Sequence, residues 1–252
     1  DPILDYAIVP TFKLAQIASK DVKVILSGEG GDEIFAGYGR HRKIKRLFLK
    51  KEVFPSCEFD KHQKFKKKFK DWDFDLNFHK LTNKKLTMSS LQNLQLFDCE
   101  EWLPNNLLIK LDRCLMINSL EGRTPLIDIE IFKNFFGVRD NFKIRNGLGK
   151  FLLRIFLKEK IPFYDFLHKK VGFTVPINSW IPGKCDLLAR YLPKNKLLKK
   201  IFEPQEIKSI CLKATTNKKF ITLVWRLLCL SVWYQVHFDK GLEKQDTFYI
   251  LS

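Results

Sequence analysis

The chain has 252 residues, 45% of them apolar, enough to bury a core as one large domain or two small ones, which excludes a disordered or low-complexity polymer. Its 45 Lys and Arg against 28 Asp and Glu give a formal charge of +17, a balance that raises polyanions such as nucleic acid or an acidic membrane as partners. The excess is nearly all lysine, beside many Ile, Phe and Asn, which is equally the imprint of an AT-rich coding sequence, so charge alone selects no partner.

In chain order, TFKLAQIAS from Thr11 places Phe12, Leu14, Ala15 and Ile17 on one stripe and predicts a helix starting at Pro10 or Thr11. VKVIL (22–26) is a short β-branched run and predicts a buried parallel strand. SGEGGDE (27–33) follows as a loop, and EIFAGYGRHRKIKRLFL as a second helix, so the opening makes one αβα passage. Residues 51–88 carry KHQKFKKKFKDWDFDLNF, either a basic and aromatic nucleic-acid patch or a surface insertion anchored by Phe65 and Phe69. From 89 onward the spacing is helical, through SSLQNLQLFDCEEWL, NNLLIKLDRCLMINSLEG, IDIEIFKNFFGV and GLGKFLLRIFLKEK. FITLVWRLLCLSVWYQVHF (220–238) is long enough to span a bilayer, but Arg226 at its centre favours a buried terminal helix.

The six cysteines form no CxxC pair and none lies within four residues of a histidine, so zinc spacing is absent and they read as reduced thiols of a cytoplasmic protein. Asp1-Pro2 stands where an initiator Met would be, as if the chain were cut from something longer.

Chemistry concentrates in SGEGGDE. Ligands of parallel α/β sheets bind beyond the carboxyl ends of strands, where this loop falls. Gly28, Gly30 and Gly31 let the backbone approach a ligand and offer N–H groups to anionic oxygens. Glu29 and Asp32 would repel phosphate directly, so a phosphate site here needs Mg²⁺ between them, or Glu29 must act as a base. The structural alternative is a glycine turn whose acids Asp32 and Glu33 cap a helix. Glu121 and Arg123, flanking a helix stop, read equally as a salt-bridged interhelical turn, and the lysines of HKKVGFTVP (168–176) as solvated charges.

Taken together and in order, SGEGGDEIFAGY, LPNNLLIKLDRCLM, SLEGRTPLID, GKFLLR, KKVGF and LVWRLLCLSVW resemble the synthetase domain of glutamine-hydrolysing asparagine synthetases. The resemblance runs from Asp1 to about Trp233 and is weakest in the lysine-rich insertion. It implies an α/β fold: an incomplete parallel nucleotide-binding sheet of the adenine nucleotide alpha-hydrolase type with a mostly helical C-terminal part. Residues 1–50 would end the sheet and carry the acid loop, 51–88 would be an insertion, and 89–252 the helical part. The implied reaction is ATP-dependent amidation of aspartate through a β-aspartyl-adenylate, with ATP and Mg²⁺ required and ammonia drawn from glutamine.

The resemblance also assigns residues. Asp32 matches a Mg²⁺-binding acid under the pyrophosphate; Glu29 matches an acid beside the acyl-adenylate, a base toward ammonia. Lys170 matches a lysine that neutralises charge on the leaving pyrophosphate. Ser27, Gly28 and Gly30 match the loop lining the nucleotide pocket, Lys150 and Arg154 a helix reaching toward phosphate, and Glu121 and Arg123 an E-x-R-x-P segment on the catalytic and substrate side. His168 stands where the family carries an arginine, and Ile127 replaces a Leu of P-F-L-D while Leu126 replaces its Phe. An upstream S-G-G-x-D-S phosphate loop and the amidotransferase domain, both family features, are not in these 252 residues. The expectation is therefore one part of a larger or split synthetase, inactive alone, needing a partner chain with the phosphate loop and glutaminase domain. The alternatives are a non-catalytic remnant or a basic nucleic-acid-binding protein.

Overall fold

The computed structural model describes residues 2–46, 88–161, 163, 165, 166, 168, 173 and 175–239. Lys170 and nearly all of the 51–88 insertion, with Phe65 and Phe69, lie outside the described residues. The described chain divides into two compact units, one between residues 8 and 173, the other made of residues 2–7 and those from 175 on.

The first unit runs α1 (Ile8–Ala18), β1 (Val24–Leu26), α2 (Gly31–Ile34), α3 (Gly39–Arg46), α4 (Ser90–Phe97), α5 (Ile109–Met116), β2 (Glu121–Arg123), α6 (Ile129–Phe136), α7 (Asp140–Lys143) and α8 (Phe151–Lys160). α1 begins earlier than Thr11, because Pro10 falls in its first turn, where the missing N–H costs no helical hydrogen bond. β1 and β2 pair in parallel, with Val24 opposite Glu121, Ile25 opposite Gly122 and Leu26 opposite Arg123. The ladder continues at both ends, from Glu121 N to Lys23 O at 2.9 Å and from Ser27 N to Arg123 O at 2.8 Å. The protein is thus α/β, mostly helical around a two-stranded parallel sheet.

Glu121–Arg123 is a strand, not the interhelical turn its sequence allows. Glu-Gly-Arg has no intrinsic strand preference, and pairing with β1 supplies what propensity does not. Ala15, Leu115 and Leu120 form the core beneath the sheet, with Ala18, Ile25 and Leu111 against them. Ile25 therefore faces that core, while Val24 and Leu26 point to the other side and are 54% and 74% exposed.

Residues 90–116 form one continuous helical run rather than two helices separated at Pro104. Between α4 and α5, Asp98–Leu108 is wound as a wider π-type helix, and Pro104 lies inside it. The wider turn takes in a residue that cannot donate to an ordinary α-helical ladder. α4 opens with a reciprocal cap: Gln92 N donates to Ser89 Oγ at 3.1 Å and Ser89 N to Gln92 Oε1 at 2.9 Å.

The second unit consists of α9 (Ile177–Trp180), α10 (Cys185–Tyr191), α11 (Lys196–Ile201), α12 (Pro204–Lys213) and α13 (Lys218–Phe238). Leu188, Leu192, Leu198, Ile207, Ile210, Leu223 and Leu227 fill its core. Residues 2–7 join through Trp225 Nε1, which donates to Leu4 O at 2.9 Å. α13 is long and apolar enough to cross a membrane, and buries Ile221, Leu223, Val224 and Leu227 on one face. It is not buried all round: Val236 and Phe238 near its end are exposed. The described cysteines are free thiols, and burial pushes those of Cys99, Cys211 and Cys229 up to about 12, where they are inert.

Leu227→Ala is expected to lower unfolding free energy by about 2–5 kcal/mol, since a buried leucine loses its contacts and leaves a cavity. Leu26→Lys, at an exposed position, should stay within about 0.5 kcal/mol of wild type. Urea denaturation of the two variants measures both.

Candidate active site

The acid loop leaves β1 where the strand's last backbone bond is made. Ser27 N is held by Arg123 O, and Ser27 Oγ in turn accepts Glu29 N at 3.3 Å, folding the chain back on itself. Gly30 has φ 87°, a conformation that side chains disfavour, and a β-carbon there would meet Ile127 at 2.5 Å. β2 and the 3₁₀ turn Pro125–Ile127 after it therefore form the floor against which the loop is pressed.

α2 then presents Asp32, whose Oδ1 lies 3.2 Å from Lys150 Nζ. Each side chain is about one-fifth exposed, while Asp32 Oδ1, the oxygen that faces Lys150, is buried. Two close backbone approaches allow this meeting. A β-carbon on Gly37 would lie 1.8 Å from Asp32 Oδ1 and 2.4 Å from Lys150 Cε. One on Gly149 would lie 2.3 Å from Ala36 O. Lys150 N donates to Phe35 O at 2.9 Å, and Lys150 itself holds φ 56°, in the left-handed region. Sequence reading pointed to Asp32 and Lys150 separately; the structure brings them together.

The other residues singled out fall at different distances from this pair. Glu121 and Arg123 stand on the same face of β2, 3.4 Å apart and mostly exposed, and Arg123 reaches the loop through its carbonyl. Arg154 is buried and spends its guanidinium on the backbone: Nε donates to Gly149 O at 2.9 Å, and one terminal nitrogen to Phe166 O at 2.6 Å and His168 O at 2.9 Å. It fastens the Gly149–Lys150 turn to the segment that leads toward Lys170.

Beneath the loop lies a polar network that the sequence did not disclose. The Tyr38 hydroxyl donates to Glu33, and burial raises the Glu33 carboxyl above the ordinary carboxylate range, with the Tyr38 hydrogen bond acting the other way. Asp98, fully buried, accepts Arg40 at 2.6 Å and faces His41 Nε2 at 2.7 Å. A carboxylate can only accept, so Nε2 carries the His41 proton, and Nδ1 has no hydrogen-bond partner among the described residues. Burial lowers the His41 pKa, and the ring stays neutral. The Arg40 guanidinium also lies over the Tyr38 ring, 4.3 Å from its centroid. Their shared signal is that GYGRH gathers Tyr38, Arg40 and His41 directly after the acid loop.

Among the described residues no three His, Cys, Asp or Glu side chains form a metal cage. Asp32 fits the other common arrangement, in which Mg²⁺ is held by one or two carboxylates together with phosphate oxygens. The fold and loop define an α/β protein with a glycine-rich, acid-bearing loop at the carboxyl end of a parallel strand, where such folds ordinarily bind ligands.

Comparison with known proteins narrows that class. The family model for asparagine synthase matches residues 1–235, and the chain belongs to this family. It is similar to asparagine synthetase (glutamine-hydrolyzing) 1 of Bacillus subtilis (strain 168), 27% identical over 291 residues, covering 98% of this chain and 45% of that protein. A relative from Mycobacterium tuberculosis (strain ATCC 25618 / H37Rv) is 27% identical over 221 residues, covering 72% and 34%. Asparagine synthetase (glutamine-hydrolyzing) 3 of Arabidopsis thaliana is 26% identical over 210 residues, covering 78% and 28%. The chain thus spans less than half the length of these curated relatives. No solved structure matches it significantly.

His41→Gln should make stability less dependent on pH on the acid side. The unfolded imidazole takes a proton below about 6.5 while the folded one resists, so wild-type stability is lost as pH falls from there through the lowered folded value. Denaturation midpoints measured from about pH 7.5 to about 5 should show a shallower fall in the variant.

Proposed function

We propose that this chain supplies the acid-and-lysine side of an ATP-dependent synthetase site that amidates the side-chain carboxylate of aspartate. The observation that carries this reading is the Asp32–Lys150 pair, 3.2 Å apart, at a glycine-rich loop beyond a parallel strand. On this reading β1 and β2 belong to an adenine nucleotide alpha-hydrolase-like sheet. The aspartate carboxylate attacks the α-phosphorus of ATP, forming the β-aspartyl-adenylate as the bond to pyrophosphate breaks. Ammonia then attacks the acyl carbon, gives up a proton, and AMP leaves with the bonding electrons.

Asp32 is the residue that would hold Mg²⁺ with phosphate oxygens, and the chemistry so supplied is neutralisation of charge on the leaving pyrophosphate. Lys150 exchanges its carboxylate partner for phosphate oxygens when nucleotide enters. Ser27, Gly28 and Gly30 line the nucleotide side of the loop, and Glu29 takes the ammonia proton. Lys170 neutralises charge on the same phosphates, and Arg154, bonded to the backbone at Phe166 and His168, serves by positioning. Glu121 and Arg123 face the substrate side from β2.

The site is completed by further polypeptide carrying the second phosphate loop and a glutaminase domain, and it works in the cytoplasm. Two facts support its completion by further polypeptide. Parallel sheets are ordinarily covered on both faces, yet Val24 and Leu26 are bare. The chain also corresponds to only 45% of its Bacillus relative.

Joined to an upstream segment with that loop, the chain should exchange labelled pyrophosphate into ATP in the presence of aspartate. Asp32→Asn and Lys170→Ala should each lower exchange by roughly 100-fold or more at unchanged denaturation midpoint. Normal exchange in Asp32→Asn overturns the reading. Glu29→Gln should spare exchange and slow amide formation by roughly 100-fold; weakened Mg²⁺·ATP binding instead would make Glu29 a metal-side group.

A further inference from the structure

We propose that Gln95 is a positioning residue for Asp32, acting through the backbone of α2, an assignment that rests on the functional reading of Asp32 above. α2 has four residues, too few to hold its shape through its own hydrogen bonds. Its end leaves successive carbonyls in need of donors. Asp32 O accepts from Gly37 N at 2.8 Å, and Phe35 O from Lys150 N at 2.9 Å. The two carbonyls between them, Glu33 O and Ile34 O, both accept from the Gln95 side-chain amide, at 2.8 and 2.7 Å.

The far end of Gln95 is fixed as well. Its Oε1 accepts from Lys143 Nζ at 2.8 Å, and Lys143 also donates to Phe136 O at 2.5 Å. An ammonium only donates and a carbonyl only accepts, so these partners determine which way the amide points. Both side chains are buried, and burial pulls Lys143 down to about 8.

Generic packing does not account for this pair. Gln95 shares α4 with Leu91 and Leu94, both fully buried, and an apolar residue there would avoid the desolvation of an amide and an ammonium. The polar pair is explained by the two carbonyls it holds. With all four carbonyls from Asp32 to Phe35 bound, the turn has one conformation, and Asp32 is presented in one direction toward Lys150.

The test replaces Gln95→Met and Lys143→Met together, which leaves no buried charge behind. In native-state hydrogen exchange of the 252-residue chain, the Gly37 and Lys150 amides should exchange about tenfold faster or more, while Ala15 and Leu115 in the same unit keep their rates. Unchanged exchange at Gly37 and Lys150 overturns the proposal. So does equal acceleration at Ala15 and Leu115, because the pair would then only support the fold at large. In the reconstituted synthetase the same variant should raise the Mg²⁺ concentration for half-maximal pyrophosphate exchange about tenfold and recover at saturating Mg²⁺. A lower rate with unchanged half-saturation contradicts positioning. If the wild type itself catalyses no exchange, the synthetase reading falls, and the amide rates still decide whether Gln95 holds the turn.

Discussion

The candidate site depends on one close crossing of backbone, where Ala36–Gly37 passes against Gly149–Lys150. A methyl group on either glycine would occupy space already taken, by Asp32 and Lys150 at one and by the Ala36 carbonyl at the other. Ala36 and Lys150 both adopt positive φ to make the crossing, at a cost of roughly 1–2 kcal/mol for each non-glycine residue. Surrounding bonds hold that strain in place: Lys150 N to Phe35 O on one side, Arg154 Nε to Gly149 O on the other. The result is that a lysine far along the chain stands beside a carboxylate at the end of β1.

The electrostatics follow from depth. Asp32 and Lys150 are each about one-fifth exposed, so solvent partly screens the pair. Glu33, His41 and Asp98 are buried, and each carboxylate is met by a specific partner: Asp98 by the partly exposed Arg40 and by His41, Glu33 by the Tyr38 hydroxyl. Removing one member of such a buried pair strands the other, which ordinarily costs about 3–5 kcal/mol. The buried acids are therefore fixed by their partners, in a chain whose charge of +17 otherwise favours anions.

How much of this was legible in sequence follows from the range of the interactions. VKVIL announces a strand because β-branching is a local signal, and its last three residues are the ones that pair. The helical spacing of IDIEIFKNFFGV marks α6 for the same reason; Asp128 caps its start by accepting Glu130 N at 2.8 Å, and Gly137 caps the end. β2 was opaque because Glu-Gly-Arg becomes a strand only beside β1, almost a hundred residues earlier in the chain. Gln95 and Lys143 were opaque in the same way, since an isolated glutamine in a helix reads as surface and its partners lie 48 and more residues away. Asp32 stood out as a chemical group, whereas the residues that aim it did not.

β1 links the sheet to the site. Its inner face is anchored by Ile25 on the Ala15, Leu115 and Leu120 core, and its one described neighbour is β2. Two strands alone are marginal, and here the helices α1 and α5 hold them from a single side. Covering Val24 and Leu26 would bury apolar surface at roughly 25 cal/mol per Å² and would restrain the same strand from which Ser27 turns into the acid loop. Any segment that covered Val24 and Leu26 would thus also stiffen the acid loop, because both effects act through the three residues of β1.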